Sequence, residues 1–263
     1  KIILWSQPEM LLYDDDPIIR MSYPDLIEDL GNYYISETQK DLARVHIVDK
    51  NMLNNLWKQF DLNNKTKDKL VLEWQEKNEG LPVQLKSPKF PVFYKPDYNT
   101  VDHKGMRLPN GFTVELAFCL NDLSVGQILI DNRTYDGIGW CIRINDKQGL
   151  EFFMNDGQTQ ASWSCDEGLL RANHVHYVSF IVDGGPAIIS VVVDGILNDG
   201  GDKRQFGWGR FSPYFKSAQG DNNMIIGSKM NGSILSVNIY TKALKTTEAI
   251  ANYKWFISKN KTN

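Results

Sequence analysis

The sequence predicts an all-β protein organised around a two-sheet β-sandwich or jelly roll over residues 111–245. Three observations carry that expectation. Phe112, Val114, Leu116, Phe118 and Leu120 alternate with Thr113, Glu115, Ala117 and Cys119, a period of two that marks a strand with one buried face. Similar apolar runs recur at 128–131, 139–145, 150–155, 174–183, 188–194, 224–227 and 233–240. Turn chemistry separates them: Asn145-Asp146, Asn155-Asp156-Gly157, Asp183-Gly184-Gly185-Pro186, Asp194-Gly195 and Asn231-Gly232 supply positive φ or a side chain that caps its own turn. No long helical pattern interrupts the series, so two packed sheets are the economical solution.

Taken in order, residues 2–5, 9–13, 23–28, 33–38 and 43–48 read as short strands, with Asp29-Leu30-Gly31-Asn32 as a hairpin turn. A helix follows, capped by Asp49, with Met52, Leu53, Leu56, Trp57 and Phe60 on one stripe. The polar run 61–69 reads as a surface connection, and 70–74 as either a strand or a helical turn. Pro82, Pro88, Pro91 and Pro96 make 80–98 an extended crossover without regular structure. Near the end, Ile250, Tyr253 and Trp255 fall on a short helix over 246–256, with Glu248 in its first turn favouring the helix dipole. The division expected is 1–60, a few strands and a helix; 61–110, a linker; 111–245, the sandwich; 246–263, a helix and tail. The opening strands bury too little surface to close a core alone. They are expected to pack on the sandwich or to belong to a larger sheet assembly.

Bulk properties narrow the function classes. The chain has 263 residues, 42% hydrophobic and 11% aromatic, enough for a substantial core. A formal charge of −3 with scattered Lys and Arg argues against a dedicated nucleic-acid or anionic-membrane partner. No apolar run has the length of a membrane span. The chain opens without Met or a signal peptide, which reads as a processed, trimmed or partial chain. Cys119, Cys141 and Cys165 show no Cys-x-x-Cys spacing and read as small buried or half-buried thiols. One strand-to-strand disulfide stays open and would imply export.

Two resemblances add to this reading. Gly111-Phe112-Thr113-Val114-Glu115, the run His176 to Gly184, Val193-Asp194-Gly195, Asn231-Gly232-Ser233-Ile234 and the run Ile239 to Leu244 resemble concanavalin A-like, laminin-G-like jelly rolls attached to carbohydrate-active enzymes. Trp5-Ser6-Gln7-Pro8-Glu9, the run Arg20 to Leu26, the run Tyr34 to Lys40 and Ala43-Arg44-Val45-His46 look like the last blade of a sialidase-type β-propeller. That second resemblance implies Tyr23 as a nucleophile, Glu37 as the carboxylate that activates it, and Arg20 as a fork for an anionic sugar group. Earlier blades, Asp-box repeats and most of the arginines are missing from this sequence, so a complete catalytic set would need the remaining propeller as partner. Together the resemblances imply the carbohydrate-binding or structural jelly-roll part of a secreted or periplasmic sialidase-like glycoside hydrolase acting on complex or acidic polysaccharide. A non-catalytic glycan-binding or adhesion module is the alternative.

Sugar binding needs an aromatic face for the pyranose CH surface and polar groups for its hydroxyls. Residues 131–163 carry that mixture: Arg133, Tyr135 and Trp163 are candidates, whereas Trp140 alternates with Ile142 and Ile144 and reads as core. A second cluster contributes Phe206, Trp208 and Tyr214. For Trp163 and Trp208, ordinary packing is the competing reading. Asp183 and Asp194, with Asp199, Asp202 and Asp221, are candidate calcium ligands, against the turn preference of aspartate. Asp14, Asp15 and Asp16 suggest a calcium loop, paired carboxylates or a solvated turn. His174 and His176 share a strand face without a third metal ligand in view. Asn64, Asn132 and Asn231 open glycosylation sequons. A self-contained glycosidase would have to draw on Glu115, Glu151 and Asp166, which show no closely paired motif.

Overall fold

The structure, a computed structural model, describes residues 3–14, 21–39, 41–77, 80–99, 101 and 104–260. It divides into two compact units, Lys1–Lys65 with Lys245–Asn263, and Thr66–Leu244.

The first unit holds an antiparallel three-stranded sheet, β1 (Ser22–Asp29), β2 (Asn32–Gln39) and β3 (Leu42–Val48), in that order. Leu30 at φ 47° and Gly31 at φ 73° put both central residues of the first hairpin in the left-handed region, which matches strand twist. Helix α1 (Lys50–Trp57) starts where Asp49 accepts from Asn51 N at 2.7 Å and Met52 N at 3.4 Å. Phe60, expected on its stripe, lies in the turn beyond its end. The expected strands at 2–5 and 9–13 are corrected: residues 3–13 are irregular, and Ile2 lies outside the described residues. Their polar groups go to side chains and helix ends instead of a ladder. Gln59 accepts from Gln7 N at 2.7 Å and donates to Gln7 O at 3.0 Å. The Glu9 carboxylate accepts Thr246 N and Thr247 N at 3.0 and 2.6 Å, capping helix α2 (Thr246–Asn260). Burial raises the Glu9 carboxyl, with those hydrogen bonds pulling against it.

The second unit is the sandwich. One sheet runs, in spatial order, β12 (Gln160–Ser164), β11 (Leu150–Asn155), β10 (Gly139–Ile144), β9 (Ile128–Asp131), β17 (Asn223–Lys229) and β5 (Val83–Lys86). The other runs β15 (Ile196–Leu197), β14 (Ile188–Val193), β13 (Val175–Asp183), β8 (Gly111–Leu120), β18 (Gly232–Tyr240) and β4 (Leu70–Gln75), with β16 (Trp208–Arg210) also paired to β14. A hairpin of β6 (Tyr94–Pro96) and β7 (Gly105–Arg107) completes the unit. The fold is therefore the jelly-roll β-sandwich. Residues 80–98, expected to be irregular, instead supply β5 and β6. The prolines flank β5 and end β6, so β5 keeps the backbone donors that its ladder with β17 uses.

Alternate residues of the two sheets meet in one core. Phe112, Val114, Leu116 and Phe118 face Trp140, Ile142, Phe152 and Met154 among others. Trp140 stacks on Phe152 at 5.6 Å. The expectation of one solvent face for β8 is corrected, because Thr113, Glu115 and Ala117 are also fully buried. Their polar atoms are satisfied. Thr113 Oγ1 donates to Lys242 O at 3.0 Å and accepts from Leu244 N at 2.9 Å. Glu115 accepts from Tyr177 Oη at 2.7 Å and Ser179 Oγ at 2.9 Å.

Candidate functional site

Strand directions sort the loops of the sandwich into two ends. The turns 132–138, 155–159 and 211–222 lie at one end. The turns 121–127, 145–149, 165–173 and 198–204 lie at the other. At this second end a cleft of about 240 Å³ is lined by residues from three separated turns, including Lys147, Ser164, Asp166, Glu167, Lys203 and Arg204.

Arg204 is the fixed member. Its Nη1 donates to Ser164 O at 2.9 Å, its Nη2 pairs with the Asp166 carboxylate, and its guanidinium lies 4.1 Å from the centre of the Trp163 ring. Trp163 is partly buried against the core, and a Cβ on Gly209 would come within 2.6 Å of its Cε3. The ring thus supports Arg204 and is not an open platform. Lys147 and Lys203 both reach Glu167, at 3.0 and 2.5 Å. The two ammoniums pull the Glu167 carboxyl down to about 2, Lys203 through the larger effect. The loop that carries Lys203 and Arg204 continues into Phe206 and Trp208, whose rings lie 5.2 Å apart, and Phe206 is 45% exposed.

The other sugar-binding candidates lie elsewhere. Tyr135, fully exposed, and Tyr214, 65% exposed and edge-on to Tyr94 at 5.6 Å, belong to the opposite end. Arg133 forms a bidentate pair with Asp131, both contacts 2.8 Å, and the Asp131 hydrogen bond raises its pKa further. Its fork is already occupied.

Asp183 and Asp194 do not share a site. Asp183 pairs with Ile188 and Val178 with Val193, so about five residues, roughly 17 Å of strand, separate them. Asp183 accepts from Gly185 N at 3.0 Å, and Asp194 accepts from Tyr177 N at 2.8 Å and holds His176 Nδ1 at 2.7 Å. Asp199 and Asp221 likewise accept from Gly201 N and Asn223 N in their own turns. Among the described residues no group of three His, Cys, Asp or Glu could hold a metal ion. His176 Nε2 accepts from Arg171 N at 2.9 Å, so Nδ1 carries the proton donated to Asp194.

In the first unit, Tyr23 sits at φ 52° in a bulge of β1 and is 86% exposed. Glu37 is 1% exposed, with Arg44 Nε at 3.7 Å and His46 Nε2 at 3.6 Å, and neither oxygen has a hydrogen-bond partner among the described residues. No hydrogen bond joins Tyr23 to Glu37. Arg20, Asp15 and Asp16 lie outside the described residues, while Asp14 accepts from Arg44 Nη1 at 3.1 Å. The glycosidase acids are also held apart: Glu115 is buried in one sheet, Glu151 pairs with Arg143 at 2.6 Å on the other, and Asp166 serves Arg204. All three cysteines are free thiols, and burial pushes Cys141 and Cys165 up to about 11. Asn132 is fully buried, donating to Ser87 Oγ at 2.9 Å and Asp221 O at 3.0 Å, so its amide is closed to glycosylation.

A family model described as the concanavalin A-like lectin/glucanases superfamily matches residues 95–250. The chain belongs to that superfamily. No relative among curated proteins matches it. Solved structures similar to this superfamily member include the binding domain of botulinum neurotoxin serotype G, at 14% identity and TM-score 0.47 over 91% of this chain and 46% of that one. The Ruminococcus gnavus IT-sialidase CBM40 bound to alpha2,3 sialyllactose has 14% identity and TM-score 0.46 over 69% and 97%. Domain 4 of a GH43 extracellular arabinanase from Geobacillus stearothermophilus, in complex with arabinotriose, has 13% identity over 72% and 100%; its TM-score is 0.42. The chain spans about half the length of the first solved structures it matches, 51%, 51% and 46%.

The cleft residues Lys147, Glu167, Lys203 and Arg204 were not singled out by sequence reasoning. They converge from three turns whose glycines mark turns only, and nothing local links them.

Proposed function

We propose that the sandwich binds glycans at the cleft beside the 198–208 loop. The observation that carries this reading is that one short loop supplies both kinds of group a sugar needs. Phe206 and Trp208 offer ring surface, while Lys203 and Arg204 border a cleft rich in charged groups, with the Asn145 amide and the Ser164 hydroxyl beside them. Membership of a superfamily that includes lectins supports it. A glycan array probed with the intact chain tests it: Phe206→Ala and Trp208→Ala should each lose retention of the glycans that the unaltered chain holds. Unchanged retention in both variants would contradict the assignment.

A second reading concerns the parent protein. The three-stranded sheet of β1, β2 and β3, with Glu37 buried between Arg44 and His46, favours the end of a sialidase-like propeller. On that reading the parent is a secreted glycoside hydrolase acting on complex or acidic polysaccharide. Tyr23, Glu37 and Arg20 then belong to a site completed by other blades. Turnover of aryl glycosides by this chain alone, abolished by Tyr23→Phe, would show the site to be complete without them.

A further inference from the structure

Glu167 meets two ammoniums that come from different parts of the chain. Lys147 lies in the turn after β10 and Lys203 in the short 3-10 turn Gly201–Lys203, and each takes a different carboxylate oxygen. The lysine side chains are 65% and 70% exposed. Ion pairs this exposed contribute little to folding, so stability does not account for holding three long side chains in one place. The charges lining the cleft are Lys147, Lys203 and Arg204 against Asp166, Glu167 and Asp202. Arg204 and Asp166 already satisfy each other. With Glu167 swung aside, two ammoniums are left converging on the cleft, an arrangement suited to an anion.

We infer that Glu167 fills, from within the chain, the place of a ligand carboxylate, and that the cleft takes an acidic saccharide whose carboxylate displaces it from Lys147 and Lys203. This rests on the glycan-binding reading above and names the class of sugar. The exchange replaces one carboxylate by another, so the local charge is unchanged and no proton need move. Contacts to the sugar ring then provide the affinity, and the two lysines provide the preference for acid over neutral sugar.

The test is an NMR titration of the intact chain and of Glu167→Gln with methyl glucuronide and methyl glucoside at equal ionic strength. Glutamine keeps the size and removes the charge at an exposed position. The glucuronide should bind Glu167→Gln about threefold more tightly or better than the unaltered chain, with the glucoside unchanged. Lys203→Met should weaken the glucuronide alone. If both sugars bind and the glucuronide-to-glucoside ratio is the same in all three proteins, the inference is overturned while glycan binding stands. If neither sugar shifts a cleft resonance in any of them, the glycan-binding reading has failed and the inference falls with it.

Discussion

A fully buried carboxyl group must draw support from nearby hydrogen-bond donors, and Glu115 does so. Tyr177 and Ser179 both donate to it from the neighbouring strand. Burial keeps the Tyr177 phenol protonated well above 10, so it remains a donor at any working pH. Tyr177→Phe removes one donor from a buried carboxyl group and should cost about 1–3 kcal/mol in denaturant unfolding of the intact chain. A loss within experimental error would mean the network is dispensable. Glu167 behaves differently because it is exposed. Its carboxyl should titrate with a midpoint about 2, followed through its side-chain NMR signal, and Lys203→Met should move that midpoint up toward 4.5. The sign follows from the direction: a depressed acid contributes above its unfolded value and loses that contribution as pH falls through the folded one. An unmoved midpoint would contradict the ion pair. At this scale the sequence was least legible. Composition and alternation identify Trp163 as an aromatic near a turn. They say nothing of the Arg204 guanidinium on its face, forty-one positions away in the chain (163 to 204).

Elements were more legible, because periodicity and turn residues are local. Strands at 128–131 and 150–155 fall where the alternation places them, and Asp49 caps α1 as its position suggested. Asp49→Ala should cost about 1 kcal/mol, read by loss of helical signal on mild heating; an unaltered profile would show the cap to be idle. The misses have one cause. Strand β12, Gln160–Ser164, is short and polar and is held by its ladder to β11. Strand β16 survives because Gly209 lets it lie against Trp163. A methyl at that position meets the ring at 2.6 Å, so Gly209→Ala should destabilise the sandwich by about 1–3 kcal/mol and loosen Arg204. Retention of full stability would show that the ring can move. In the other direction, residues 9–13 read as a strand yet form none, and Glu9 caps a helix instead.

For the molecule as a whole, the jelly roll was legible because its two sheets repeat one pattern many times, and chance departures at single positions average out. The site was not, because a cleft formed from three turns has no period. Candidates chosen by residue type were divided, with Tyr135 and Tyr214 at one end of the sandwich and Trp208 on β16, opposite Ser190, where the loop from the other end joins it. That division makes the most direct test of the account a mapping experiment. Amide, indole and guanidinium NMR signals of the intact chain are followed while a glycan retained on the array is added. The account predicts that the largest shifts fall on Trp208, Arg204, Lys203 and Glu167; shifts confined to Tyr135, Tyr214 and their loops would contradict it.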